Sequence, residues 1–142
     1  MPQKSDRILK TINELEDYLS KLKEVSSYTL EQFQKDWNIY FAVERLIQLA
    51  VECLIEIGED LISQSKFKKP ETYRQTFEIL EQHQIIKPEL SKKLQNLASL
   101  RNKLVHAYVS VSLKKIYLMS KQVLSNCQDF IMAVKKNLKL RK

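Results

Sequence analysis

The chain has very little to turn with. Across 142 residues it holds one glycine, Gly58, and three prolines, Pro2, Pro70 and Pro88. A β-rich fold reverses direction often, and tight reversals need residues that accept positive φ or arrive with φ preset. Long helices joined by a few connections do not. Leu, Lys, Glu and Gln are abundant, and all four are good helix formers. The expected fold is therefore all-α, an up-and-down bundle of about five helices. It forms a single domain over 1–142 with a basic C-terminal tail.

Apolar spacing places the helices. Ile8, Ile12, Leu15, Leu19 and Leu22 form a one-sided stripe for the first. Thr29-Leu30-Glu31-Gln32 fits a capping box and starts a short helical turn through Phe33. A long second helix runs from Asp36 or Trp37 to about Ser63 and is apolar on two faces. Trp37, Phe41, Ile47, Val51, Leu54 and Leu61 make one, and Ile39, Val43, Leu46, Ala50, Cys53 and Ile57 the other. A helix apolar around most of its girth belongs at the centre of a bundle. Gly58 lies on it and marks a close crossing or a bend. Pro70 suits the first turn of a third helix, with Tyr73, Phe77 and Leu80 inward and His83 closing it. Ile85 and Ile86 tuck under a fourth, which Pro88 starts. Val109-Ser110-Val111 is unfavourable to helix. Ser112 caps the last, with Ile116, Tyr117, Val123, Cys127, Phe130, Ile131 and Val134 as its stripe.

Composition removes several classes of function. Cys53 and Cys127 belong to no paired motif and read as small core residues in a reducing compartment. The first residues carry no apolar signal core, and no run approaches the ~18 apolar residues of a membrane span. A cytoplasmic protein without a membrane partner is expected. Two histidines and no carboxylate cluster with ligand spacing make a metal site a poor prospect. The formal charge is +7, which favours an anionic partner, nucleic acid above all. Lysines gather at 66–69, 92–93, 114–115 and from 135 to the end. Singly these are solvated faces; summed, they attract RNA.

One segment departs from the scaffold pattern. The seam of the fourth helix runs Leu90, Leu94, Leu97, then Leu104 and Tyr108, and position 101 within it is Arg. On a helix of about 3.6 residues per turn, Arg101 and Tyr108 fall within about 20° of each other. A lone buried charge costs several kcal/mol, so Arg101 either pairs with a carboxylate or borders a cleft. Glu44, which interrupts an apolar stripe of the second helix, is the candidate counter-ion. Alternatively Glu44 sits at a stripe edge and reaches water. Asn102 and His106, four apart, can converge on one point. If the substrate is an RNA phosphodiester, His106 moves a proton at neutral pH. Arg101 then holds the phosphate as a fork, and Asn102 orients phosphate or imidazole. The reaction would be attack of the ribose 2′-hydroxyl on the adjacent phosphate, with no metal or cofactor. His83 reads as a helix-end residue, which leaves one useful His per chain. A two-fold homodimer would bring a second. The bland alternative keeps Arg101 as a paired core residue, His106 as a helix terminator and Tyr108 as a core aromatic.

Taken together, the long central helix with Phe41-Ala42-Val43-Glu44-Arg45-Leu46-Ile47-Gln48, the segment Thr72–Leu80, and Arg101-Asn102-Lys103-Leu104-Val105-His106-Ala107-Tyr108 resemble the HepT-like group of HEPN-domain toxins. The pattern Arg-x-x-x-x-His-x-Tyr is that family's signature. The resemblance implies a dimeric, metal-independent endoribonuclease toxin with Arg101 and His106 catalytic and Asn102 as their polar neighbour. It also implies a minimal nucleotidyltransferase antitoxin that neutralises the toxin by adding AMP to Tyr108. The other reading it allows is a non-catalytic HEPN subunit that binds nucleotides and docks a nucleotidyltransferase. A third, outside the family, is a structural RNA-binding protein.

Overall fold

The computed structural model describes residues 4–106 and 112–140. Six helices follow in order: α1 Lys4–Val25, α2 Leu30–Lys35, α3 Trp37–Ser65, α4 Tyr73–Gln82, α5 Pro88–Val105 and α6 Leu113–Leu140. There is one more than the expected five because the short turn after Thr29 is a helix in its own right. Both halves of its capping box form: Thr29 Oγ1 accepts from the Gln32 amide at 3.1 Å, and Gln32 Oε1 from the Thr29 amide at 2.9 Å.

Helix α3 touches each of the other five helices. Its two apolar faces explain why: Val43, Ile47, Ala50, Val51, Leu54, Ile57 and Leu61 are all buried. The start of α3 behaves differently. Trp37 and Phe41, expected on an inward face, are 74 % and 56 % exposed and meet edge to face at 6.4 Å. Packing at that end goes through Tyr40 instead, whose ring lies 5.7 Å from buried Phe33; Phe33 in turn meets Tyr117 of α6 at 5.6 Å.

The α3–α4 crossing depends on Gly58. A Cβ there would lie 2.6 Å from Cγ2 of Thr76, which is fully buried. That methyl sits on a β-branched side chain with little rotamer freedom. Overpacking of this kind costs about 1–3 kcal/mol, against at most about 1 kcal/mol gained in helix propensity. Gly58→Ala is therefore expected to lower the melting temperature, and Thr76→Ser in the same chain to restore most of it. A Gly58→Ala chain melting at or above the parent would refute the crossing as the reason for the glycine.

Helix α4 begins later than Pro70. Thr72 is its N-cap, accepting from the Gln75 amide at 3.1 Å, and Pro70 lies before it. A threonine hydroxyl at that position satisfies an orphan amide that proline cannot. Phe77 and Leu80 are buried as expected, but Tyr73, in the first turn, is 38 % exposed. His83 does close the helix, its ring stacked on Phe67 at 3.5 Å. Pro88 opens α5, and Ile86 beside it is buried. Ser112 caps α6, accepting from the Lys115 amide at 3.2 Å. Phe130 of α6 and Phe77 of α4, both fully buried, meet edge to face at 5.9 Å. The basic run expected as a tail is helical through Leu140.

Both cysteines are core residues. Burial pushes the Cys53 thiol up to about 12 and raises that of Cys127 as well, so neither supplies a thiolate nucleophile. Among the described residues no helix is long and apolar enough to cross a membrane.

Candidate active site

Three helices converge on Arg101. From α5 its Nη2 reaches Oε1 of Glu52 on α3 at 3.3 Å. Its guanidinium carbon stands 5.2 Å from the centre of the Tyr73 ring on α4. Its Nη1 lies 3.4 Å from Oδ1 of the adjacent Asn102. The side chain is 21 % exposed, so the guanidinium is held by its partners and still part-open to solvent. Its Nε is buried with no hydrogen-bond partner. One carboxylate and one ring face fix the plane of the fork and leave part of its donor capacity unspent, as an anion-binding group requires.

Glu52, not Glu44, is the counter-ion. The two lie eight residues apart on α3, about 12 Å along its axis, and only Glu52 is level with Arg101. Glu52 also accepts from Nε2 of Gln48 at 3.2 Å, one turn earlier. Glu44 is half-buried and bonded to Tyr40. The Tyr40 phenol is pushed up to about 12, first by burial and then by that carboxylate. The sequence suggested Glu44 because it breaks an apolar stripe. Glu52 carries no such mark, because which polar residue of α3 meets α5 depends on how the two rods slide past each other. Tyr73 was missed as a partner for the same reason: its apolar spacing on α4 reads as core.

His106 ends α5. It is the C-cap, with φ −88° and ψ 103°, and its amide donates to the Asn102 carbonyl at 3.2 Å. That bond holds Asn102 and His106 within one turn, and both are exposed. His106 is thus the helix terminator of the bland reading, and its side chain is also exposed. A helix C-terminus carries a partial negative charge, which would repel a phosphate arriving there. Lys103 in the last turn offsets that charge. Asn102 also borders a cavity of about 1050 Å³ formed with Ser63, Phe67, Pro70, Tyr73 and Thr76. Tyr108 lies outside the described residues, as does Val109-Ser110-Val111. Among the described residues, no three His, Cys, Asp or Glu side chains gather into a metal-binding set.

Residues 15–134 match the family model described as ribonuclease HepT-like. The chain belongs to the HepT-like ribonuclease family. The tRNA nuclease HepT of Aphanizomenon flos-aquae (strain 2012/KM1/D3) is 31 % identical over 101 residues, 71 % of this chain and 69 % of that protein. The mRNA nuclease HepT of Shewanella oneidensis is 28 % identical over 104 residues, 73 % of this chain and 78 % of that one. Among solved structures, the tri-AMPylated Shewanella oneidensis HEPN toxin in complex with its MNT antitoxin superposes with a TM-score of 0.85. It is 24 % identical and covers 96 % of this chain and 99 % of its own. The cytosolic protein YutE of Bacillus subtilis gives 0.82 at 24 % identity, covering 96 % and 92 %. The expectations of a HEPN-like helical bundle and of a ribonuclease from this family are both met.

Proposed function

We propose that the chain is the toxin of a toxin–antitoxin pair, an endoribonuclease that cleaves RNA without a metal ion. The observation that carries this reading is the posture of Arg101. It is anchored by Glu52 and Tyr73, part-exposed, and five residues before an exposed histidine that caps the same helix. In the reaction, the 2′-oxygen of a ribose attacks the adjacent phosphorus and the bond from phosphorus to the 5′-oxygen breaks. A base takes the 2′-proton, an acid supplies a proton to the departing 5′-oxygen, and a 2′,3′-cyclic phosphate remains. His106 is suited to either proton transfer. Arg101 binds the phosphate and stabilises the charge that builds on its oxygens. Asn102 orients one or the other. One chain offers a single histidine at the site, so a homodimer with two motifs bordering one cleft supplies both acid and base.

The antitoxin in this reading is a minimal nucleotidyltransferase that places AMP on Tyr108, two residues beyond His106. Phosphates attached there would bring negative charge and bulk to the position where the substrate phosphate docks. The tri-AMPylated HEPN toxin in complex with MNT antitoxin supports a nucleotidyltransferase partner for this chain.

The test has two parts. Purified chain incubated with RNA in excess chelator should yield fragments ending in cyclic phosphate. Chain co-expressed with its nucleotidyltransferase partner should gain mass in AMP increments, absent from Tyr108→Phe. Cleavage abolished by the chelator would overturn the metal-free route. Growth arrest undiminished by both Arg101→Ala and His106→Ala would favour a non-catalytic docking subunit.

A further inference from the structure

Beyond the motif, α5 carries a second pattern on its outer edge. Lys92, Asn96, Ser99, Lys103 and His106 recur at spacings of four, three, four and three. On a helix of about 3.6 residues per turn they fall within about 80° of one another. Four of the five are exposed and Ser99 is half-buried, so the histidine terminates a polar, basic stripe. Helix α6 runs alongside and closes a groove of about 310 Å³, with Lys93 and Lys103 on one wall and Lys115 on the other. Asn96, Gln122 and Asn126 add amides beside the apolar Leu100 and Met119, and Asn126 is only 7 % exposed, so one amide is set deep into the bundle. Among the described residues, none of the side chains lining it is acidic or aromatic. From α4, Arg74 donates to Ser99 Oγ at 2.7 Å and adds a further cation beside the stripe.

We propose that this groove between α5 and α6 is a backbone track that holds the sugar–phosphate chain of single-stranded RNA and delivers it to His106. The inference rests on the ribonuclease reading above and names the surface that reading needs. Lysines bind phosphate as point charges, while amides and hydroxyls donate to phosphate oxygens and to the 2′-hydroxyl. Such lysines and amides grip the backbone and leave base edges unread, so the affinity they supply is indifferent to sequence. From Lys92 to His106 the stripe is about 21 Å long, enough for several nucleotides upstream or downstream of the scissile bond. An acidic protein face is the other anionic partner that such a surface would take. The hydroxyl and amide donors interleaved with the lysines, and their continuity with His106, favour RNA.

The experiment measures binding of a fluorescein-labelled, mixed-sequence single-stranded RNA oligonucleotide across a salt series, using His106→Ala to prevent cleavage. Each phosphate contact on a single strand adds about 0.7 to the slope of log affinity against log salt. Adding Lys93→Ala and Lys115→Ala should therefore flatten the slope by about 1.4. In the chain with His106 intact, the same pair should raise KM for RNA severalfold and leave kcat unchanged. Lys10→Ala with Lys23→Ala on α1, which makes no contact with α5, should change neither. An unchanged slope overturns the track even if the chain cleaves RNA. A flattened slope in a chain that never cleaves upholds the track and overturns the ribonuclease reading. Unchanged RNA binding with loss of the co-expressed nucleotidyltransferase on purification overturns the track in favour of a protein docking face.

Discussion

His106→Ala is expected to slow RNA cleavage by about 10²–10⁴-fold, the usual contribution of a positioned general acid or base, without unfolding the protein. The side chain is exposed, and the backbone bond that closes α5, from the His106 amide to the Asn102 carbonyl, is one that alanine keeps. Surface substitutions of this kind shift stability by about 0.5 kcal/mol or less. The comparison to make is single-turnover cleavage against thermal unfolding on the same preparation. If the histidine works as both acid and base across a dimer, mixing His106→Ala chains with Arg101→Ala chains should not restore full rate, because each mixed cleft would keep only one imidazole. A variant that cleaves at the parental rate removes the imidazole from the chemistry.

The second large effect falls on Arg101. Truncating it to alanine should lower kcat by about 10²–10³-fold, as loss of one charge-stabilising donor typically does. The structural cost is smaller. The pair with Glu52 is part-exposed and such pairs contribute about 0–1 kcal/mol. The stacking over Tyr73 adds about 0.5–1 kcal/mol. Arg101→Lys separates charge from shape. An ammonium keeps the positive charge but cannot lie flat over Tyr73 while reaching both Glu52 and a phosphate. It should therefore fold as the parent does and recover little of the rate. Near-parental cleavage by Arg101→Lys would mean that a point charge suffices there, and the planar fork held by α3 and α4 would have no catalytic purpose.

How far the sequence could be read follows from which quantities are local. The helices were legible because each is written in its own stripe and caps: the Thr29–Gln32 box, the stripe from Ile8 to Leu22, Pro88 at the head of α5. Gly58 was legible as a close crossing or a bend because one glycine in a long apolar helix has few other uses, and the Thr76 methyl against it decides for the crossing. The unusual character of Arg101 was visible as a charge in an apolar seam. What surrounds it was not. Glu44 and Glu52 are equally plausible from one dimension, and choosing between them requires the relative height of α3 and α5. Trp37 and Phe41 failed for a related reason. Their spacing matches the core stripe, yet Tyr40 takes the packing at that end, and the stripe continues past the point where other helices cover it. Pro70 failed because a good first-turn residue lay close to a better cap, Thr72.

The placement of the sole tryptophan has a practical side. Its indole already stands mostly in water in the folded chain, so emission should change little when the bundle melts, and dichroism is the better gauge of unfolding. By the same token it is a built-in optical probe. Whatever comes to rest on the first turns of α3, a twin chain or an antitoxin, will strip solvent from that ring and shift its light toward the blue, with no label attached.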